Sequence, residues 1–212
     1  MLNSIYSNAV SSDQFTVARL GQNVMPAVAA LFEATKQSLP DDKSHFIKPQ
    51  PLSDLRGHVG LGFPVIGAID NQSGQLAAVL LMTPAEKAEF GKNLDGYPKH
   101  LMASGAAVIQ CVAVHPGFKG KGLMDKILKG AEQLASTQHI YELIAKVADD
   151  NHASTKGFLK AAFTPAAHGV DAKLGYNVTY WKKDCESLAP EALPLFNSAQ
   201  HANDEFASFN CR

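Results

Sequence analysis

The chain has 212 residues, of which 46% are hydrophobic and 18% are charged, and its formal net charge is −1. This length fits one domain with a substantial core, and a net charge near zero gives no reason to expect a nucleic acid or a membrane as partner. Three cysteines form neither a disulfide framework nor a metal-ligand spacing. We therefore expect no bound metal and a cytoplasmic location. The N-terminus lacks the basic and apolar regions of a signal peptide, and no run reaches transmembrane length.

The N-terminal region predicts a strand followed by a helix. Residues Phe15–Leu20 alternate between apolar and polar positions, which is typical of a strand. Asn23 is expected to cap a helix, because its side chain can accept a hydrogen bond from a first-turn N–H group. The apolar face of that helix comprises Val24, Ala27, Val28, Leu31 and Phe32. After Lys36 the periodic pattern is lost over a region rich in proline and aspartate.

The next part of the chain predicts a short helix and a hairpin. Residues Ser53–Arg56 can open a helix. Residues Phe63–Asp70 and Leu76–Thr83 are apolar runs of strand length, and the Asn-Gln-Ser-Gly turn at 71–74 joins them. Residues 84–102 are polar and form an excursion before the next strand.

The segment from Val108 to Leu134 predicts a buried strand, a glycine-rich turn and a helix. Valine and isoleucine dominate Val108–Val114, as in a strand that is covered on both faces. Gly120 and Gly122 fall where the following helix presents its unpaired N–H groups, so the backbone can approach a ligand closely. Together with Lys119 and Lys121, these amides predict an anion site, with phosphate as the expected anion.

Two common phosphate motifs do not fit this turn. A nucleotide P-loop needs Gly-Lys-Ser/Thr at its end, but Leu123 and Met124 follow Gly122. A dinucleotide fingerprint that starts at Gly120 needs a small residue where Asp125 stands. A plain strand-to-helix connection, with glycines needed only for backbone geometry, stays open on this segment alone.

A second motif follows the strand-like run Glu142–Val147. The chain from Asp150 to Phe163, read with the glycine turn, resembles the GNAT superfamily of acyl-CoA-dependent N-acyltransferases. The family's first motif reads Arg/Gln-x-x-Gly-x-Gly/Ala, and Lys119, Gly122 and Met124 stand at its three defined positions. Its later motif is roughly Asn-x-x-Ala-x-x-Leu-Tyr-x-Lys-x-Gly-Phe. The matching positions are Asn151, Ser154, Gly157, Phe158, Lys160, Ala162 and Phe163.

The resemblance implies an α/β (α+β) fold with a central mixed, mostly antiparallel sheet of about six to seven strands. In this family the sheet is splayed between strands 4 and 5 and flanked by helices. It also implies a GNAT-like domain over residues 1–183, with Tyr176–Lys182 as a final strand. Residues 184–212 would be a C-terminal extension that packs on the domain or on a partner subunit, which leaves a homodimer open.

The resemblance implies that acetyl-CoA is the acyl donor and that an acceptor amine attacks its thioester directly. Backbone N–H groups in the splayed gap would bind the pantetheine arm and stabilise the oxyanion, and the glycine turn would hold the pyrophosphate. The expected coenzyme A contacts are Val112, Ala113, Val114, Lys119, Gly120, Lys121, Gly122, Leu123, Met124, Asn151, Ser154 and Phe158. Asn151 has an equally plausible structural role as the cap of the next helix.

Three departures from the family motifs bear on binding and mechanism. Lys119 keeps a positive charge but lacks the planar fork of arginine, and Met124 adds bulk that must point into the core. Phe158 replaces the tyrosine that protonates the thiolate in many members, and packing is its default role. No acidic residue occurs on the strand Val108–Val114, so Gln110 and Ser154 are the catalytic candidates that remain.

The acceptor side carries no recognisable signature. In the family, the region after the first helix forms the wall over the acceptor, so Asp41, His45, Arg56 and His58 are candidate substrate contacts, although each could belong to a solvated loop. We expect an N-acetyltransferase that acts on a small-molecule amine. A GNAT-fold module that binds acyl-CoA without turnover is the alternative, and a non-CoA α/β protein is a third interpretation.

Overall fold

The structure is a computed structural model that describes residues 14–88, 105–171 and 175–185. It contains a single seven-stranded sheet and four α-helices within those residues. The strands are β1 (Phe15–Arg19), β2 (Val65–Asp70), β3 (Leu76–Pro84), β4 (Ala106–Val114), β5 (Glu142–Ala148), β6 (Thr164–Val170) and β7 (Asn177–Asp184). The helices are α1 (Met25–Gln37), α2 (Leu52–Gly60), α3 (Leu123–Thr137) and α4 (His152–Lys160).

The sheet is mixed and mostly antiparallel, as the sequence predicted. Its strand order is β1-β2-β3-β4-β5-β7-β6, and β4 and β5 form its parallel pair. Parallel neighbours need a crossover, and α3 supplies it between these two strands. The carboxyl ends of β4 and β5 therefore lie at the same edge of the sheet.

The helices cover the two faces of the sheet because each strand in its centre is apolar on both sides. On one face, α3 and α4 contribute Ile127, Leu128 and Phe158 to a buried cluster with Leu80 and Leu143. The opposite face buries the apolar stripes of α1 and α2; its cluster includes Val28, Phe32, Leu55, Val79 and Leu81. Both α3 and α4 thus begin at the edge where β4 and β5 end.

The sheet opens between β4 and β5. The parallel register runs from the Ala106–Glu142 pair to the Ile109–Ala145 pair. Beyond that point β4 continues beside β3 to Val114 and β5 continues beside β7 to Ala148. The described register contains no pair between these two extensions, so a gap separates them. This gap confirms the predicted splay between strands 4 and 5.

Two features differ from the sequence prediction. Asn23 does not cap α1, because a 3-10 turn at Gln22–Val24 precedes the helix and Val24 occupies the N-cap position without a side-chain cap bond. Strand β6 was not predicted. Its Thr-Pro-Ala-Ala-His-Gly-Val sequence is half exposed and lies at the sheet edge, so it lacks the apolar run by which the other strands were recognised.

Several sequence predictions fall wholly or partly outside the described residues. The excursion at 84–102 is described only to residue 88, where a 3-10 turn spans Ala85–Lys87. The extension at 184–212 is described only to residue 185, so its docking and the domain boundary at 183 stay predictions. Among the helices at 14–88, 105–171 and 175–185, none has the length and apolarity to cross a membrane.

Candidate active site

Backbone groups of β4 face the gap in the sheet. The N–H of His115 donates to the carbonyl of Ala77, so the backbone polar groups of His115 point toward β3. Those of Ala113, two residues earlier in the strand, point the same way. Successive residues of a strand point their polar groups in opposite directions. The N–H groups of Val112 and Val114 are therefore directed toward the gap, where the pantetheine contacts were predicted, and Ala113 is directed away from it.

A β-bulge changes the face of β4 where the gap begins. The register with β3 shifts between Leu81 and Met82, which pair with Cys111 and Ile109 and leave Gln110 as the extra residue. Ile109 and Val112 pack on the α3 side of the sheet, whereas Cys111 packs on the α1 side. Gln110 is exposed at this bulge, so its amide can reach a molecule in the gap.

The glycine turn leads from β4 into α3 with an open backbone. Gly120 and Gly122 have φ values of +80° and +72°, which are left-handed conformations that favour glycine. Gly122 is the N-cap of α3, and a Cβ built at either glycine meets no atom within 4 Å. The first N–H groups of α3, at Leu123, Met124 and Asp125, have no acceptor within the helix. This open turn fits a phosphate group.

The two lysines of the turn extend to opposite sides of it. The ammonium of Lys119 lies 3.4 Å from Oγ of Ser38 at the end of α1. The ammonium of Lys121 lies 5.4 Å from the ring centroid of Phe118 and 5.7 Å from that of Phe15, both within cation–π range. Aromatic contacts and a 3.5 Å contact with Oε1 of Gln14 therefore hold Lys121 against the start of β1. Lys119 has the 3.4 Å contact with Ser38, which it can exchange for an anion.

The N-terminus of α4 lies beside the same edge of the sheet. Asn151 is its N-cap, and its Oδ1 accepts a 3.1 Å hydrogen bond from the N–H of Ser154. The structural role of Asn151 is therefore present, and its amide nitrogen is the part left for a ligand. Ser154 is half buried in the first turn.

Phe158 and Met124 pack in the core between α3 and α4. Phe158 is 3% exposed, and its ring centroid lies 5.0 Å from that of Phe163. Met124 is half buried against the same cluster, and its sulfur lies where a Cβ on Gly157 would stand. Its bulk thus points between the helices and away from the glycine turn.

The four candidate acceptor contacts lie on two elements, Asp41 and His45 on a 3-10 turn and Arg56 and His58 on α2. His45 lies in a 3-10 turn, Asp41–Phe46, and its Nε2 is 3.6 Å from Oδ1 of Asp150 at the carboxyl end of β5. Asp41 and Arg56 are exposed. The Nε2 atom of His58 lies 3.3 Å from the carbonyl of Pro64, just before β2, and burial lowers the pKa of this imidazole.

Asp150 and Tyr176 lie beside His45, although the sequence did not predict either as a substrate or coenzyme contact. The ring centroid of Tyr176 lies 4.8 Å from that of His45. Burial, followed by the carboxylates of Asp171 and Asp150, raises the pKa of the Tyr176 phenol. A signal existed in the sequence, because Asp150 follows a strand and Tyr176 precedes its antiparallel neighbour, which brings both to one edge of the sheet.

Cys111 lies at the bulge, where burial disfavours its thiolate. Burial raises the pKa of its thiol to about 12, so the reactive anion is scarce at neutral pH. Within the residues that the structure describes, no group of three or more His, Cys, Asp or Glu side chains could hold a metal ion. The polar groups at the gap include main-chain amides, the exposed Gln110 and the His45–Asp150 pair.

Known proteins resemble this chain in sequence pattern and in fold. The model of a family described as "Acetyltransferase (GNAT) family" matches residues 29–163. Curated proteins show no match to the sequence. The structure of yncA from Salmonella typhimurium, with its cofactor acetyl-CoA, is 17% identical with a TM-score of 0.61, over 85% of this chain and 100% of that one.

Two further solved structures have the same architecture. The ribosomal-protein-S18-alanine N-acetyltransferase from Escherichia coli is 15% identical with a TM-score of 0.60, over 84% of this chain and 98% of that one. The ribosomal-protein-alanine N-acetyltransferase from Brucella melitensis is 18% identical with a TM-score of 0.59, over 79% and 98%. At these identities the likeness is one of fold.

Proposed function

Because this chain belongs to the GNAT family of acetyltransferases, we propose that it transfers an acetyl group from acetyl-CoA to the amine of a small-molecule acceptor. The gap between β4 and β5 carries this proposal, since it ends at the open glycine turn. A pantetheine chain laid along the gap brings its diphosphate to that turn. A solved structure of the same fold contains acetyl-CoA, which supports this donor.

Main-chain groups do most of the donor binding in this proposal. The N–H groups of Val112 and Val114 would bind the pantetheine amides and the thioester oxygen. The backbone from Lys119 through Gly120, Lys121, Gly122 and Leu123 to Met124 would surround the diphosphate, with the positive end of the α3 dipole behind it. Lys119 would add a charge that can move from Ser38 to a phosphate oxygen.

The first turn of α4 would contact the pantetheine arm on the side opposite to β4. Asn151 has an amide nitrogen that capping does not use, because its oxygen accepts the bond from Ser154. Ser154 would then lie near the departing sulfur. The ring of Phe158 is buried against Phe163, so we expect it to form a packed boundary of the site.

The acceptor amine would attack the thioester directly, with no acyl-enzyme. Two preorganised N–H donors in the gap would stabilise the developing oxyanion, which is commonly the largest single catalytic term. The raised pKa of Cys111 disfavours a covalent intermediate on that thiol. Gln110, exposed at the bulge, would orient the amine or a water molecule.

Thiol release tests the proposal. Purified protein is incubated with acetyl-CoA and a panel of primary amines and short peptides, and free coenzyme A is followed with a thiol reagent. We expect amine-dependent thiol release with at least one acceptor, and mass spectrometry should show the acetylated amine. Tight CoA binding with no release over the whole panel would contradict the enzyme and favour a binding module.

A further inference from the structure

The 3-10 turn between α1 and α2 reaches the β5 side of the gap through His45. Ile47, two residues after His45, is buried in the cluster that contains Ala113 of β4. His45 itself contacts the other side of the gap, where Asp150 connects β5 to α4. The imidazole of His45 therefore lies beside the gap, at the carboxyl end of β5.

The imidazole is held on several sides and lacks a hydrogen-bond partner on one nitrogen. Its ring centroid lies 4.6 Å from that of Phe46 and 4.8 Å from that of Tyr176. Nε2 is enclosed, and among the described residues it has no hydrogen-bond partner. Its 3.6 Å distance to the Asp150 carboxylate is too long for a hydrogen bond but short enough for charge stabilisation.

This geometry suits a group that gains a proton. A neutral imidazole with its hydrogen on Nε2, the atom that faces Asp150, keeps a lone pair on Nδ1. When Nδ1 accepts a proton, the ring becomes positive and the carboxylate stabilises it. The other titratable groups near the ring are Tyr176, with Asp171 beside it, and the exposed Asp41, Asp42 and Lys43 of the same turn.

We propose that His45 is the proton acceptor of the transfer reaction and that Asp150 stabilises its protonated form. This inference rests on the proposed function. It gives the site a base, which neither β4 nor α4 supplies, since Gln110 and Phe158 stand at the two positions where the family resemblance led us to look for acid–base groups.

The proton balance of the step is complete. His45 takes one proton from the acceptor ammonium, and the neutral amine forms a C–N bond to the thioester carbonyl. The tetrahedral intermediate collapses with cleavage of the C–S bond, and coenzyme A leaves as the thiolate. The nitrogen loses a second proton, which neutralises that thiolate through water. The imidazolium releases the first proton to solvent.

The test compares wild type with His45→Gln, Asp150→Asn and the control His139→Asn. His139 is exposed between α3 and β5, at the opposite end of β5 from Asp150, and its φ of +55° is one that asparagine tolerates. Coenzyme A affinity is measured by calorimetry. The pH dependence of kcat/KM is then measured from pH 6 to 10 with the best acceptor of the amine panel.

Removing the base should change the shape of the pH profile. In wild type and His139→Asn, kcat/KM should level off within the measured range, because a deprotonated base removes the dependence on the free amine. In His45→Gln, kcat should fall by about 10²-fold or more, and kcat/KM should keep rising about tenfold per pH unit toward the amine pKa, about 10.4 for an alkyl amine. The kcat of Asp150→Asn should lie between those of wild type and His45→Gln. The affinity for CoA should be the same in all four proteins.

Two outcomes overturn the assignment while leaving the proposed function intact. One is a His45→Gln enzyme that keeps its kcat within a factor of about three, and the other is a pH profile parallel to that of wild type. Wild-type protein with no transfer to any amine would instead contradict the proposed function. In that case the hydrolysis of acetyl-CoA is compared among the four proteins, because attack by water needs the same base. Equal hydrolysis rates in wild type and His45→Gln would overturn the assignment of His45.

Discussion

The side chain of Met124 in α3 occupies the space that a Cβ on Gly157 of α4 would need. The contact joins the two helices whose first turns lie at the edge of the gap. A methionine at the final position of the glycine turn is compatible with an open diphosphate site only because α4 offers a residue without a side chain. The two motifs that the sequence shows separately thus meet in one contact.

This contact predicts a coupling between the two positions. Alanine is favoured over glycine inside a helix by about 1 kcal/mol, so Gly157→Ala should stabilise a Met124→Ala protein by roughly that amount. In the wild-type background the new methyl group must displace the Met124 sulfur, and the gain should disappear. Urea unfolding of the two single variants and the double variant measures the coupling. An equal gain in both backgrounds would show that the two side chains do not compete for space.

Gly122 predicts a selective loss of coenzyme A binding. Valine at this position would be strained by the φ of +72° and would put bulk into the open space at the turn. Gly74, in the β2–β3 turn, has a φ of +68° and equally open surroundings, so Gly74→Val is a matched control. Both variants should lose about 1–2 kcal/mol of stability.

Only Gly122→Val should lose CoA affinity, by about tenfold or more, because it alone would crowd the diphosphate. Calorimetric titration with coenzyme A, at a temperature where both variants are folded, separates the two effects. Similar affinities in the two variants would remove the glycine turn from the binding site.

The two lysines of the turn should differ in their effect. Lys119→Ala should weaken CoA binding modestly, by roughly threefold to tenfold, and the loss should shrink as salt is added. Lys121→Ala should cost stability, about 0.5–1 kcal/mol, through the lost contacts with Phe15 and Phe118, with a smaller effect on CoA. CoA titrations at low and high salt test the first expectation and thermal unfolding tests the second. If Lys121→Ala weakened CoA binding more than Lys119→Ala, the diphosphate would instead lie on the Lys121 side of the turn.

Long apolar runs made most of the fold predictable from the sequence. Strands β2, β3 and β4 are buried on both faces, so their composition alone distinguishes them, and α3 has a continuous apolar stripe. Strand β6 lacks such a run and was missed. The cap of α1 was assigned wrongly, because Asn23 has the right chemistry but lies within a 3-10 turn that precedes the helix.

The candidate site was predictable only where it consists of local motifs. The glycine turn and the Asn151 cap are each continuous in sequence, and the structure places both at the gap. The proximity of His45 to Asp150 depends on how the segment after α1 crosses the sheet, and no local pattern encodes that path. The same holds for the packing of Met124 on Gly157.

Asp70 predicts an acid-sensitive step in stability. The Asp70 carboxylate, at the β2–β3 turn, accepts three hydrogen bonds. The hydroxyl of Ser73 donates one of 2.6 Å, the N–H of Ser73 one of 3.0 Å, and the side chain of Gln14 one of 2.9 Å. The Ser73 hydroxyl is the main cause that lowers the pKa of Asp70. Because the folded pKa lies below the unfolded one, this stabilisation is present above about pH 4 and is lost as the pH falls through the folded value.

The variant Asp70→Asn should therefore lower the melting temperature more at pH 7 than near pH 3. Melting curves over that range test the expectation, with Asp54→Asn as a control on the exposed side of α2. An equal loss at both pH values would mean that the ionised form is not what these hydrogen bonds favour.

The most direct measurement is the backbone amide spectrum of isotope-labelled protein during a titration with coenzyme A. If main-chain groups at the gap and at the start of α3 bind the donor, the amides of Val112, Val114, Gly120 and Gly122–Met124 should shift together with saturation. The amides of the β2–β3 turn should stay in place. Saturable binding that leaves the β4 and glycine-turn amides unmoved while another region shifts would contradict the proposed donor site.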